Sequence, residues 1–217
     1  MTTPRTHPYV WASWLPKLLA GESSCEWAVW FKAHYKGYAQ QPKDLSDWTT
    51  KHTTLLGITR EKLEAQGNAV TVEDENKFRL RGKSGALVQG KPDLISFGLG
   101  AVITDIKTGK RRDSHRQQVL LYMHGLPRAE DSPYPDVEFD GRIVYPDGAV
   151  EIPAAELTED FRISLRELTR RIISPNPPGK VASPGECRFC DLTSGDCPDR
   201  VEWVDEDEEF REGTEDF

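Results

Sequence analysis

The sequence predicts an α/β fold, a mixed central sheet flanked by helices. Three observations predict it. Apolar residues recur at spacings of three and four before residue 67. Between residues 69 and 107 the pattern turns to alternation, with many β-branched residues. A short amphipathic stretch, DSHRQQVLLYMHGL, then precedes more strand and another helix. Helices, three strands, helix, strand, helix is the order of a layered α/β core. A chain of 217 residues, 37% of them hydrophobic, suits a single domain with a sizeable core. Residues 1–200 are read as that domain and residues 201–217 as a separate tail.

Taken in order, Tyr9 to Tyr38 reads helical and tryptophan-rich, with Trp11, Trp14, Trp27 and Trp30; most of these are expected in the core. Gly21 to Ser24 break it just before Cys25. A second helix is expected over Leu45–Gln66. There Leu45, Trp48, His52, Leu55, Leu56, Thr59 and Leu63 form one stripe, and Gly67 supplies the C-terminal stop. AVTVEDENKFRLRG, ALVQGKPDLISF and GAVITDIKT read as strands, the last two joined as a hairpin through Gly98 and Gly100. Asp113 or Ser114 is expected to cap the next helix. VEFDGRIVYPDGAVEIP gives strand with a turn at Pro146-Asp147-Gly148, and Thr158 opens the last long helix. SPNPPGKVASPG then breaks all regular structure ahead of a cysteine cluster.

The formal charge of −8 is misleading. The last sixteen residues hold nine acids and one arginine, so the remainder has 27 of each sign. A neutral body does not argue against a polyanionic substrate. The tail is expected to be disordered, as a solvated solubilising segment or as a nucleic-acid mimic that docks a partner. No apolar run is long enough to cross a bilayer, and the N-terminus lacks a signal-peptide core, so a cytoplasmic protein with no membrane partner is expected.

Charged residues stand at odd places on the predicted hairpin. Alternation puts Asp105 and Lys107 on one face of a strand, and the hairpin brings Asp93 beside Asp105. Two buried carboxylates repel unless something positive lies between them. A hard divalent cation would meet that need, with Lys107 holding water or stabilising charge on a phosphate. A structural ion pair of Lys107 with either aspartate explains the three residues equally well. Gln118 and Tyr122 then share a helical face, with His115 a turn earlier. Between them Lys110, Arg111, Arg112 and Arg116 make a basic stretch suited to a phosphate backbone, or simply a solvated loop.

GKPD (Gly90–Asp93), DIK (Asp105–Lys107) and QVLLY (Gln118–Tyr122) resemble, in order and spacing, the three catalytic motifs of RecB-like nucleases of the PD-(D/E)xK superfamily. The resemblance implies a restriction-endonuclease-like core and Mg²⁺- or Mn²⁺-dependent hydrolysis of DNA phosphodiesters. It implies that Asp93, Asp105 and the Ile106 carbonyl bind metal and that Lys107 assists the water. Gln118 and Tyr122 would position the site, and Lys110, Arg111, Arg112, His115 and Arg116 would meet DNA. Many relatives carry a metal-binding histidine upstream, for which His52 is the candidate. Leu56 stands where a glutamate is common, so a buried hydrogen-bonded histidine is the competing reading.

Cys187, Cys190 and Cys197 form C-x2-C-x6-C, and Cys25 is the only other cysteine. In an intracellular chain this reads as a metal site that ties the two ends of the domain together; zinc and an iron–sulfur cluster both accept four thiolates. The resemblance favours a structural [4Fe–4S] cluster over zinc. One cysteine before the core and three after it is the arrangement in AddB-type nuclease domains and CRISPR-associated RecB-like exonucleases, although the last gap there is commonly five.

The function expected is a nuclease, an exonuclease on single-stranded or frayed DNA. No G-x-x-x-x-G-K-[ST] loop occurs, so a helicase, recombination or CRISPR adaptation protein is the expected partner. The alternative is a non-catalytic DNA-binding or assembly module of a repair, recombination or CRISPR complex, with zinc in the cysteine site.

Overall fold

The computed structural model describes residues 1–42 and 44–202; the acidic tail beyond lies outside them. The chain runs β1 (Thr3–Pro4), β2 (Tyr9–Trp11), α1 (Pro16–Leu19), α2 (Glu26–His34), β3 (Tyr35–Lys36), α3 (Ser46–Ala65), β4 (Ala69–Val72), β5 (Phe78–Arg81), β6 (Leu87–Gly90), β7 (Leu94–Phe97) and β8 (Ala101–Ile106). It continues through α4 (Asp113–Gly125), β9 (Phe139–Tyr145), β10 (Gly148–Ile152), α5 (Glu159–Ile173) and α6 (Pro184–Arg188). The central sheet has the order β10-β9-β8-β7-β4; β8 and β9 are parallel and the other pairs antiparallel. This is the mixed sheet flanked by helices that the sequence predicts.

Alternation along β8 sends its side chains to two different cores. Ile103 joins the main core with Val119, Leu121 and Tyr122 of α4. Ile106 joins a smaller core with Leu63 of α3 and Leu94 of β7. Each fully buried aliphatic side chain here is worth about 1.5–3 kcal/mol in transfer from water. Helix α4 lies close on β9 because Gly141 has no side chain: a Cβ there would meet Val119 Cγ1 at 2.4 Å. Thr158 caps α5 as expected, accepting from the Phe161 N–H at 3.3 Å.

Four expectations are corrected. Tyr9–Trp11 is not helical but a strand, paired in parallel with Leu87–Gln89, a partner too distant for local periodicity to reveal. ALVQGKPDLISF is two strands in different sheets, because Lys91-Pro92-Asp93 interrupts it. AVTVEDENKFRLRG likewise divides at the 3₁₀ turn Glu73–Asn76. In α3 the predicted stripe is only partly inward: His52, Thr59 and Leu63 are buried, whereas Leu45 and Trp48 are exposed.

Candidate active site

Strand register builds the site. Leu94 pairs with Thr104, so one step on, Asp93 stands across from Asp105 at the C-terminal end of β8. Crevices beyond the carboxyl ends of parallel strands are the usual ligand positions in α/β sheets. Asp93 Oδ2 accepts the Ile106 N–H at 2.6 Å and lies 3.3 Å from His52 Nε2. Thus α3, from the opposite side of the sheet, delivers His52 to the same corner as the β7–β8 pair.

Asp105 is 1% exposed. Burial pushes its carboxyl up to about 6, although the neighbouring Lys107 charge opposes this. Lys107 Nζ is 2.7 Å from Asp105 Oδ2. Burial is the largest single influence and pulls the ammonium's pKa down, but the charge and hydrogen bond of Asp105, with the charge of Asp93, together outweigh it and the pKa stands above its ordinary value. Lys107 is therefore a charged donor at neutral pH. His52 is raised too, by its hydrogen bond to Asp93. The two carboxylates repel, and each takes a basic partner.

Gln118 links the parts. Its Oε1 accepts from Lys107 Nζ at 3.1 Å, and its Nε2 donates to the Tyr122 hydroxyl at 2.8 Å and, at 3.4 Å, towards Asp105 Oδ1. Tyr122 is buried against Phe78, and burial raises its hydroxyl pKa. His115 Nδ1 meets the Tyr145 hydroxyl at 3.0 Å; burial, with Lys107 next in weight, pushes its pKa down to about 4.

The basic stretch is more neutralised than its sequence implies. Arg111 pairs with Asp147 and lies over Tyr145, Arg112 is 3.9 Å from Glu22, and Arg116 pairs with Glu156. These acids come from distant segments. Lys110 is exposed and makes no ion pair among the described residues.

Two further residues shape the site. Asn76, buried in the turn after β4, donates to the carbonyl oxygens of Pro92 at 3.1 Å and Asp93 at 3.4 Å, pinning the turn that carries Asp93. Glu22 receives Ser114 N–H at 2.8 Å and Ser114 Oγ at 2.7 Å, so it holds the start of α4. Neither Asp113 nor Ser114 caps that helix with its own side chain. Burial alone would raise the Glu22 pKa, but these bonds more than offset it and the pKa is lowered. The break at Gly21–Ser24 was the one visible signal for Glu22; Asn76 sits in a polar turn with no distinguishing spacing.

Metal fit can be judged from the donors. Among the described residues, no three His, Cys, Asp or Glu side chains are gathered as a metal-holding group. The carboxylate oxygens at this corner nevertheless suit a hard divalent cation, with the His52 imidazole as a borderline donor beside them. Asp105 Oδ2 is buried and makes no hydrogen bond of good geometry despite the nearby Lys107, which leaves a lone pair for such an ion.

Cys25, Cys187, Cys190 and Cys197 all line one cavity of about 350 Å³ between α2 and the C-terminal segment. Lys32, Lys180 and Arg200 line it as well. Burial raises the thiol pKa of Cys190 and of Cys197. Ser23 Oγ and Ser24 N–H bond the Glu186 carboxylate at 2.7 and 2.6 Å, so the segment before Cys25 is stitched to α6.

The family model described as the PD-(D/E)XK nuclease superfamily matches residues 14–194. The fold is similar to a solved structure described as the crystal structure of SSO0001, with 16% sequence identity, 92% of this chain and 90% of that one covered, and a TM-score of 0.53. At that identity the likeness concerns the fold. No curated protein matches the sequence. Among the described residues no helix is long and apolar enough to cross a membrane.

Proposed function

The chain belongs to the PD-(D/E)XK nuclease superfamily, and from that premise we propose a metal-dependent deoxyribonuclease that acts as an exonuclease on single-stranded or frayed DNA ends. The observation that carries this reading is the convergence of Asp93, Asp105, Lys107 and Gln118 at the end of β8. Asp93, Asp105 and the Ile106 carbonyl, with His52, would hold Mg²⁺ or Mn²⁺. The ion supplies Lewis acidity and a bound water of lowered pKa.

The remaining steps belong to the chain's own groups. In hydrolysis, a water oxygen bonds to phosphorus as the bond to the leaving sugar oxygen breaks. The water gives up one proton and the sugar oxygen takes one up. Lys107, held in its charged form, donates to the water oxygen or to the phosphoryl oxygens, where negative charge grows. It is not the base. Gln118 fixes the lysine's direction and Tyr122 fixes Gln118. Exposed ion pairs such as Arg111–Asp147 are worth little in water, so Arg111, Arg112 and Arg116 can exchange carboxylates for DNA phosphates, beside Lys110 and His115.

The cysteine cavity supports a structural [4Fe–4S] cluster held by Cys25, Cys187, Cys190 and Cys197. A single zinc would take the same four thiolates, each about 2.3 Å from the ion, and is the alternative occupant. Basic residues line the cavity beside the acids Glu22, Glu186 and Asp191, and Lys32, Lys180 and Arg200 each pair with a carboxylate, so the support for the cluster is the gathering of the four cysteines.

The test is release of nucleotides from end-labelled DNA with Mg²⁺ or Mn²⁺, repeated with Asp105→Ala and Lys107→Ala. Both variants should lose about 10²–10⁴-fold in rate, the scale of removing an oriented charge stabiliser. Wild-type cleavage by both would show the site to be wrongly assigned.

A further inference from the structure

The first two turns of α3 stand clear of the protein body. Every described residue from Asp44 to Lys51 is exposed. Among them is Trp48, 50% exposed, an unusual position for the largest apolar side chain. Its inner face stacks on the His52 ring, with centroids 4.9 Å apart and planes at 27°. His52 in turn contacts Asp93 at 3.3 Å. The half-exposed indole is therefore one ring away from the carboxylate corner.

An i,i+4 aromatic pair can add a few tenths of a kcal/mol to a helix. That would not require the ring to lie beside the cluster of Asp93, Asp105 and Lys107. Among aromatic surfaces, an indole is well suited to a nucleobase, because stacking is tolerant of base identity. Phosphates of a strand entering the corner point towards Lys107, so its bases must lie to the side. The α3 side offers the aromatic surface.

Resting on the nuclease reading above, we propose that Trp48 is a base-stacking platform that seats one unpaired nucleobase next to the phosphate that Lys107 and a cation held by Asp93 and Asp105 would bind. A paired base in the interior of a duplex has both faces covered by its neighbours. The platform would thus select single-stranded or frayed DNA and fix which phosphate reaches the carboxylates. His52 serves as the underside of the stack, so the same helical turn aligns metal site and base.

The test uses the full chain and short single-stranded oligonucleotides, with Ca²⁺ replacing Mg²⁺ so that binding is read apart from turnover. One abasic site is walked along the oligonucleotide. Wild-type protein should lose affinity about five- to hundredfold when the abasic site reaches one particular position, the worth of one base–aromatic stack. Trp48→Ala should lose a similar factor on intact DNA and become indifferent to the abasic site. Trp48→Phe should recover most of the affinity. Unchanged affinity in Trp48→Ala overturns the inference. So does an equal further loss on abasic DNA, or a wild-type protein indifferent to the abasic site at every position. If the wild type binds DNA and cleaves it with Mn²⁺ while Trp48 is irrelevant, only this inference falls. A wild type that neither binds nor cleaves DNA ends both readings.

Discussion

Asn76 Nδ2 donates to the Pro92 carbonyl oxygen at 3.1 Å, across a boundary between two sheets. The same amide reaches the Thr71 carbonyl at 3.1 Å, and its Oδ1 accepts the Thr71 hydroxyl at 2.6 Å. A buried side chain with that many partners fixes the turn between β6 and β7, and with it the direction of Asp93. Asn76→Ala leaves the Pro92 carbonyl and the Thr71 hydroxyl without their partner. The expected cost is about 1–3 kcal/mol, the penalty for orphaning a buried polar group, read by urea denaturation. Nuclease activity should fall about tenfold or more, mainly in kcat, since small misplacements of reacting groups are costly. A stability loss with unchanged kcat would show that Asp93 holds its position without Asn76.

Gly90, the first residue of GKPD, has a packing reason to be glycine. A Cβ there would stand 2.3 Å from Phe78 Cε1 and 3.1 Å from Tyr122 Cε1. Gly90→Ala must push Phe78 into a filled core or turn Tyr122 away from Gln118. Overpacking of this kind costs about 1–3 kcal/mol. The expected result is a lower unfolding midpoint together with reduced cleavage. Substitution of Gly109, which has nothing within 4 Å of a Cβ, should leave the midpoint nearly unchanged.

These two residues also mark what the sequence could and could not reveal. Period-two alternation was enough to bring Asp105 and Lys107 to one face, because it is a local property of β8. The helix pattern carried Gln118 and Tyr122 for the same reason, and Thr158 was legible as a cap. Asn76, Glu22 and the β2–β6 pairing were not legible, because each is defined by a partner distant in the chain: Pro92, Ser114 and Leu87–Gln89. The stripe on α3 misled at Leu45 and Trp48, since periodicity identifies a face without saying how far along the helix that face is covered.

Acid should destabilise the protein partly through His124. Burial, with Arg128 and other arginines nearby, pushes its pKa down to about 4 from an ordinary 6.5. Its Nδ1 is buried without a partner. Above pH 6.5 neither folded nor unfolded His124 is charged, and it adds no pH dependence. Between about 6.5 and 4 the unfolded chain takes up a proton that the folded one refuses, so stability falls across that window and levels off below it. Asp105, raised to about 6, acts in the opposite direction, because its folded form binds the proton first. The comparison that isolates His124 is wild type against His124→Gln in urea at pH 7 and pH 5. The wild type should lose more stability on acidification; equal losses would mean His124 titrates normally in the folded state.

The cysteine cavity joins α2 to the last described segment, and Glu22, two residues before the Ser24 that bonds Glu186, holds α4. The link from cysteines to the carboxylate corner is thus a short chain of contacts through residues 22–25. Cys190→Ser should lower bound iron and sulfide and bleach the visible absorbance of purified protein. It should also lower Tm, by about 2–4 °C for each kcal/mol lost in a domain of this size. The chain closed between Cys25 and Cys190 is long, so losing the closure frees much of the unfolded ensemble. Because Glu22 steadies α4 from a distance, metal-saturated cleavage at low temperature should fall less than in Lys107→Ala. Colourless wild-type protein with stoichiometric zinc would remove the cluster while leaving the clamp; an unchanged Tm in Cys190→Ser would remove the clamp itself.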